Sequence, residues 1–155
     1  MILNKQVAVY LNLVHNKTKQ YISTIFQENG LNITPEQFLV MDTLWNEGTM
    51  SQQQIAHTIM KDKNSVVKLI DGLEKKDLVT RVADKTDRRQ NLIELTPYAQ
   101  ELDTKIKEIA IGAVDNIIKG ISQDELNVFI GVLNKMASNM NRKISLSAIT
   151  EEQNG

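Results

Sequence analysis

Two stretches of this 155-residue chain gather groups suited to reading a polyanion. The first holds Lys61, Lys63, Asn64, Ser65 and Lys68. Asn64 and Lys68 are four residues apart, so on a helix they project from one face. A carboxamide and an ammonium placed there can hydrogen-bond to base edges in a major groove, which admits one helix. The second stretch, Asp84-Lys85-Thr86-Asp87-Arg88-Arg89-Gln90, brings Lys85, Arg88 and Arg89 into one short polar segment. A guanidinium at a protruding tip can enter a narrow, electronegative minor groove. Gln52 and Gln53, a little upstream, suit phosphate oxygens, while Gln54 serves equally as a helix-cap partner. Taken alone, the three lysines are as consistent with an ordinary solvated helix face. The cationic segment that follows tips the reading towards duplex DNA. Arg88 and Arg89 also have Asp84 and Asp87 at hand, so one is expected to pair with an acid while the other stays free. Lys75 and Lys76 read as solvated charges at a helix end, where the macrodipole favours them.

The elements that must hold these groups follow from periodicity and caps. Val7, Leu11, Val14, Thr18, Ile22 and Ile25 recur at helical spacing, which predicts a first helix from about Lys5 to Glu28, followed by Gly30. Thr34-Pro35-Glu36-Gln37 combines a capping box with a proline at the first helical position, and Gly48 closes that helix. Ser51 with Gln54 opens a short helix. The chain turns near Met60 and Lys61, and Asp62 or Asn64 caps the next helix, which runs to about Lys76 with Val66, Ile70 and Leu73 inward. The period then drops to two over Leu78–Ala83 and again over Asn91–Leu95, predicting a β-hairpin around the charged segment. Thr96-Pro97 starts a further helix carrying Leu102, Ile106, Ile109, Ala113 and Ile117, ended by Gly120; Ser122 with Glu125 starts the last, which extends through Met140. The order is helix, helix, short helix, helix, hairpin, helix, helix. The short helix, tight turn and longer helix form a helix-turn-helix, and the hairpin is an appendage to it. The expected fold class is mainly α with a small β-hairpin.

Composition narrows the function classes. Hydrophobic residues make up 41% and charged residues 24%, which suits one soluble globular domain. With no cysteine, disulfides, cysteine–zinc sites and thiol redox sensing are excluded. No signal-peptide pattern and no membrane-length apolar run is present, so a cytoplasmic location is expected. The net charge of −1 does not by itself point to nucleic acid, but residues 51–96 carry nine Lys/Arg against seven Asp/Glu, a local surplus of two. The sequence lacks phosphate-binding, dinucleotide, nucleophile-elbow and zincin motifs, so no enzyme, cofactor or metal is expected. His15 and His57 lack metal-ligand spacing and read as surface histidines. Tyr10, Tyr21, Phe38, Trp45 and the methionines are expected in the core.

From Thr34 to Thr96 the chain resembles the multiple-antibiotic-resistance regulator (MarR) family. Asp87-Arg88-Arg89-Gln90-Asn91-Leu92-Ile93-Glu94-Leu95-Thr96 fits the family's wing pattern D-x-R-x5-L-T. Leu31-Asn32-Ile33-Thr34-Pro35-Glu36-Gln37-Phe38 and Ile70-Asp71-Gly72-Leu73-Glu74-Lys75-Lys76 support it, as do length and helix order. The resemblance implies a winged helix-turn-helix at about 34–96, dimerisation helices at about 1–30 and 97–145, and a polar tail at 146–155. It further implies a homodimer on a near-palindromic operator, with Asp87 orienting the wing and Arg89 entering the minor groove. It also implies a repressor released by a small aromatic or anionic effector, for whose pocket His15, Lys19 and Trp45 are the expected lining. The chain departs from the family pattern at Asp77, where glycine is usual, at Val67 for threonine, at Lys68 for arginine, and at Pro97-Tyr98-Ala99, where a glycine is common. Lysine lacks arginine's bidentate fork for guanine, so base preference at Lys68 should differ from the family's. The competing reading is a winged helix that has lost DNA binding and docks a protein through the same surface.

Overall fold

A computed structural model of the chain describes residues 2–141. Six helices and three strands run in the order α1 (Ile2–Glu28), α2 (Pro35–Glu47), β1 (Met50–Ser51), α3 (Gln52–Ile59), α4 (Lys63–Lys75), β2 (Val79–Ala83), β3 (Asn91–Leu95), α5 (Pro97–Ile117) and α6 (Gln123–Asn139). The described residues divide into two compact units, one ending at Ile117 and one beginning at Ile118. The polar tail expected after residue 145 lies outside the described residues. No described helix is long and apolar enough to cross a membrane.

The caps lie where the sequence places them. Thr34, Ser51 and Ser122 each accept a hydrogen bond from the third helical amide, and Gln37, Gln54 and Glu125 reach back to the capping backbone. Of the two candidate caps for α4, Asp62 is the one used. Three helices of the first unit end with a left-handed residue whose neighbours close the last turn. After α1 this is Gly30 (φ 71°), with Leu31 N–H on the Phe26 carbonyl at 2.8 Å. After α3 it is Met60 (φ 57°), with Lys61 N–H on the Ala56 carbonyl at 3.1 Å. After α4 it is Asp77 (φ 58°), with Leu78 N–H on the Leu73 carbonyl at 3.0 Å. These pairings satisfy carbonyls that a helix end otherwise orphans.

The core of the first unit joins Phe26 of α1, Val40, Met41 and Leu44 of α2, Ile55 of α3, and Val66, Ile70 and Leu73 of α4 to Val79, Ile93 and Ile106. Burying a large side chain of this kind contributes roughly 1.5–3 kcal/mol. The expected two-stranded hairpin is part of a three-stranded antiparallel sheet in the order β1-β3-β2. Met50 pairs with Ile93 and Ser51 with Leu92. A two-residue strand has no alternation to read, and Ser51 was already accounted for as a cap, so β1 is invisible to periodicity.

Two other expectations are corrected, the start of the first helix and the burial of the aromatics and methionines. The first helix begins before Lys5. Its stripe is buried only towards its C-terminal end: Ile22 packs on the core, whereas Val7, Leu11 and Val14 are exposed. Of the aromatics and methionines assigned to the core, Phe38 and Trp45 pack against it and Met41 and Met50 lie within it, but Tyr10, Tyr21, Met60 and Met140 are exposed. Periodicity identifies an apolar face without saying which chain covers it.

Candidate nucleic-acid interface

The start of α4 is fixed by Asp62. Its carboxylate accepts from the Ser65 hydroxyl at 2.5 Å and the Ser65 amide at 3.0 Å, and these bonds hold its pKa below the ordinary value. Ser65 is therefore engaged with the cap, half-buried, whereas Lys63, Asn64 and Lys68 are exposed and Lys61 is half-buried. Val66, Ile70 and Leu73 on the opposite side are fully buried. The helix thus has one face committed to the core and a polar N-terminal face left free. On α3, Gln53 is exposed and Gln52 half-buried; Gln54 is the capping partner of Ser51, its side-chain oxygen 2.9 Å from the Ser51 amide.

The hairpin tip is organised by two aspartates. Asp84 is almost fully buried, and its carboxylate accepts from the Thr86 hydroxyl (2.7 Å), the Thr86 amide (2.9 Å) and the Gln90 carboxamide (2.8 Å). These bonds, the Thr86 hydroxyl foremost, lower its pKa to about 2. Asp87 accepts from the Arg89 amide at 3.0 Å and from Arg89 Nε at 3.3 Å. The Arg89 side chain is nonetheless 92% exposed, so Asp87 aims the guanidinium without covering it. Lys85 and Arg88 are exposed beside it. The expected pairing of an arginine with an acid falls on Arg89 and Asp87; Asp84 takes neutral donors of the loop instead. An aspartate two residues before a threonine is the signal that could have marked this turn.

Lys76 departs from its expected place in solvent. It is half-buried, and its ammonium donates to Gln37 Oε1 at 2.7 Å. Burial lowers its pKa. The same Gln37 oxygen accepts from the Thr34 amide at 3.1 Å, and a Cβ built on Gly72 would lie 2.6 Å from Gln37 Nε2. The capping box of α2 is thereby keyed into α4, and a side chain at Gly72 would push the Gln37 carboxamide from its place. Within the same C-terminal half of α4, Arg81 of β2 bridges to Asp71 and Glu74, a contact that no local sequence pattern marks.

The three residues expected to line an effector pocket do not form one cluster of contacts among the described residues. Lys19 forms an ion pair with Glu36. The Glu36 pKa is lowered, first by the hydrogen bond from Lys19, with Lys61 and His15 adding favourable charge. Trp45 belongs elsewhere: its ring is 6.5 Å from Phe38 and lies under the Lys107 ammonium at 5.2 Å. Its buried indole N–H has no hydrogen-bond partner among the described residues.

Residues 33–90 match the family model described as "MarR family". Over 131 residues the chain is 26% identical to "HTH-type transcriptional regulator MhqR" of Bacillus subtilis (strain 168), covering 84% of this chain and 89% of that protein. The fold is shared with the solved structure of reduced AbfR bound to DNA, with a TM-score of 0.73, 23% identity, and 92% and 96% of the two chains covered. It is shared also with a mutant MarR from E. coli complexed with operator DNA, with a TM-score of 0.78, 17% identity, and 84% and 93% covered. The matched segment runs from the residue before the Thr34 cap to the last residue of the wing loop, the stretch that builds α2, α3, α4 and β2; over this segment the chain is similar to the MarR family.

Proposed function

We propose that this protein is a homodimeric transcription regulator that binds duplex DNA, with α4 in the major groove and the β2–β3 wing in the adjacent minor groove. The observation that carries this reading is the pairing of a cap-fixed helix whose exposed N-terminal face bears Lys63, Asn64 and Lys68 with a wing whose Arg89 is aimed by Asp87 yet 92% exposed. Lys61, Lys63, Lys85 and Arg88 supply phosphate contacts, and Gln52 and Gln53 add neutral donors, while Ser65, whose donors are taken by Asp62, fixes the helix start. The AbfR and MarR structures named above are DNA complexes, which supports the same use of this fold here. The protein is a binding protein of the cytoplasm, without catalytic activity, and acts as a repressor released by a small aromatic or anionic effector. An anionic effector would have to compete with Glu36 for Lys19, so Glu36 serves as its resident counter-ion.

Exposed apolar side chains support the dimer: Leu3, Val7, Tyr10, Leu11 and Val14 on α1, and Val128, Phe129 and Val132 on α6. Exposed large apolar side chains repeated along one helix in this way mark an interaction site on each of the two helices. A twofold pair would present two α4 helices to half-sites about 10 bp apart.

The test is selection of duplexes from a random pool, followed by affinity against salt. Each neutralised phosphate contributes about −0.9 to the slope of log K against log[salt]. Arg89→Ala should weaken binding generally and reduce that slope, whereas Asn64→Ala or Lys68→Ala should also change the preferred sequence. Absence of duplex binding at low salt would favour a module that docks a protein through this surface, and an unchanged affinity in Arg89→Ala would remove the wing assignment.

A further inference from the structure

We propose that Arg81 is the positioning residue that fixes the wing relative to the recognition helix, with Asp71 and Glu74 as its two anchors; this rests on the wing reading above. Arg81 lies at the midpoint of β2, opposite Ile93 of β3, whose side chain is fully buried. Residues directly opposite in an antiparallel pair share a face of the sheet, so the arginine is turned to the inner side. Its side chain is 20% exposed and its guanidinium forks, Nη1 to Glu74 Oε1 at 2.8 Å and Nη2 to Asp71 Oδ1 at 2.5 Å. The two acids are three residues apart on α4 and therefore neighbours on its surface. Most surface ion pairs contribute little, but a planar fork held by two carboxylates on one rigid helix is the geometry in which they do.

The rest of the hairpin shows why this link matters. At the base, the Thr96 hydroxyl donates to the Asp77 carbonyl at 2.6 Å, and the Thr96 amide bonds the Leu78 carbonyl at 3.1 Å. Along β3, Leu92 and Ile93 are paired to β1. On the β2 side, Arg81 is the ion pair that ties strand to helix, and Ala83, two residues further towards the tip, is exposed. Loops 84–90 and α4 must meet one duplex together, so a hinge at Arg81 would cost binding even with every DNA-contacting side chain intact. The same fork offsets one of the two negative charges that Asp71 and Glu74 place on the C-terminal half of α4.

The Asp71→Asn/Glu74→Gln double variant separates this role from plain electrostatics, because it removes two negative charges from a DNA-binding unit. The probe is a duplex recovered from a random pool by wild-type protein. Positioning predicts binding weaker by about tenfold, whereas charge alone predicts tighter binding. Arg89→Ala should cost wild type about tenfold or more and the double variant less than about threefold, since an untethered wing has little left to lose. Amide exchange over residues 84–90 should quicken while α2 and α4 keep their protection. Arg81→Lys, which keeps the charge and loses the fork, should behave like the double variant and guards against a variant that fails to fold. Equal or tighter binding by both variants, the same Arg89→Ala factor in both backgrounds, or unchanged exchange at the tip would overturn the proposal. A silent Arg89→Ala in wild type has a different signature: it removes the wing reading itself, and this inference with it.

Discussion

Single residues carry conformational demands in this chain that their neighbours reveal. Gly72 sits inside the C-terminal half of α4, where an alanine would ordinarily gain about 1 kcal/mol in helix propensity. Here the added Cβ would lie 2.6 Å from Gln37 Nε2, and that carboxamide is held by Thr34 and Lys76. Displacing it strands a half-buried ammonium and opens a capping box, so Gly72→Ala should be destabilising by about 1–2 kcal/mol in a denaturant melt. Asp77 is the opposite case. It holds φ 58°, a conformation that costs an ordinary side chain more than glycine. Asp77→Gly should raise stability, by up to about 1 kcal/mol after the extra freedom of the unfolded chain is counted. Asp84 adds a pH dependence with a definite sign. Its pKa falls from 3.8 unfolded to about 2 folded, so the stability it contributes is present above pH 3.8 and lost as pH falls through about 2. A carboxylate titration by NMR should find Asp84 at the low end, with faster amide exchange in the loop as it protonates. Asp84→Asn should loosen the loop at neutral pH as well.

At the scale of elements, the helix-turn-helix and its wing are built from mutually reinforcing devices. The α3–α4 turn is set by a left-handed Met60 and an Asp62 cap, and the buried face of α4 consists of Val66, Ile70 and Leu73, each without exposed surface. Truncating that face removes the platform that presents Asn64 and Lys68. Ile70→Ala should cost about 2–5 kcal/mol in thermal or denaturant unfolding. DNA affinity should fall in proportion to the unfolded fraction, without a change in preferred sequence. Such a result separates scaffold from readout, because Asn64→Ala should do the reverse: little loss of stability and an altered consensus.

At the scale of the whole molecule, the exposed apolar residues of α1 have no partner within the first unit's core. If they meet a second copy, replacing Val7 and Leu11 with glutamate should give monomers by sedimentation and abolish cooperative binding to a two-half-site duplex while leaving the helix content of the first unit intact. A dimer that persists in that double variant would remove α1 from the interface.

The sequence by itself determined the local structure. Thr34, Ser51 and Ser122 announce helix starts because a cap needs only a hydroxyl and the three residues that follow it, and the wing pattern from Asp87 to Thr96 lies within ten consecutive positions. These are short-range interactions, complete within a turn of chain. Tertiary structure decided the rest: that Met50 and Ser51 add a third strand, that Lys76 leaves solvent for Gln37 thirty-nine residues away, that Lys19 is held by Glu36, and that Arg81 clasps Asp71 and Glu74. Each of these joins groups from different elements, and long polar side chains show no periodicity that betrays a distant partner. Their place is set only once the apolar core has fixed the helices and strands relative to one another, because a half-buried charge then has few acceptors within reach.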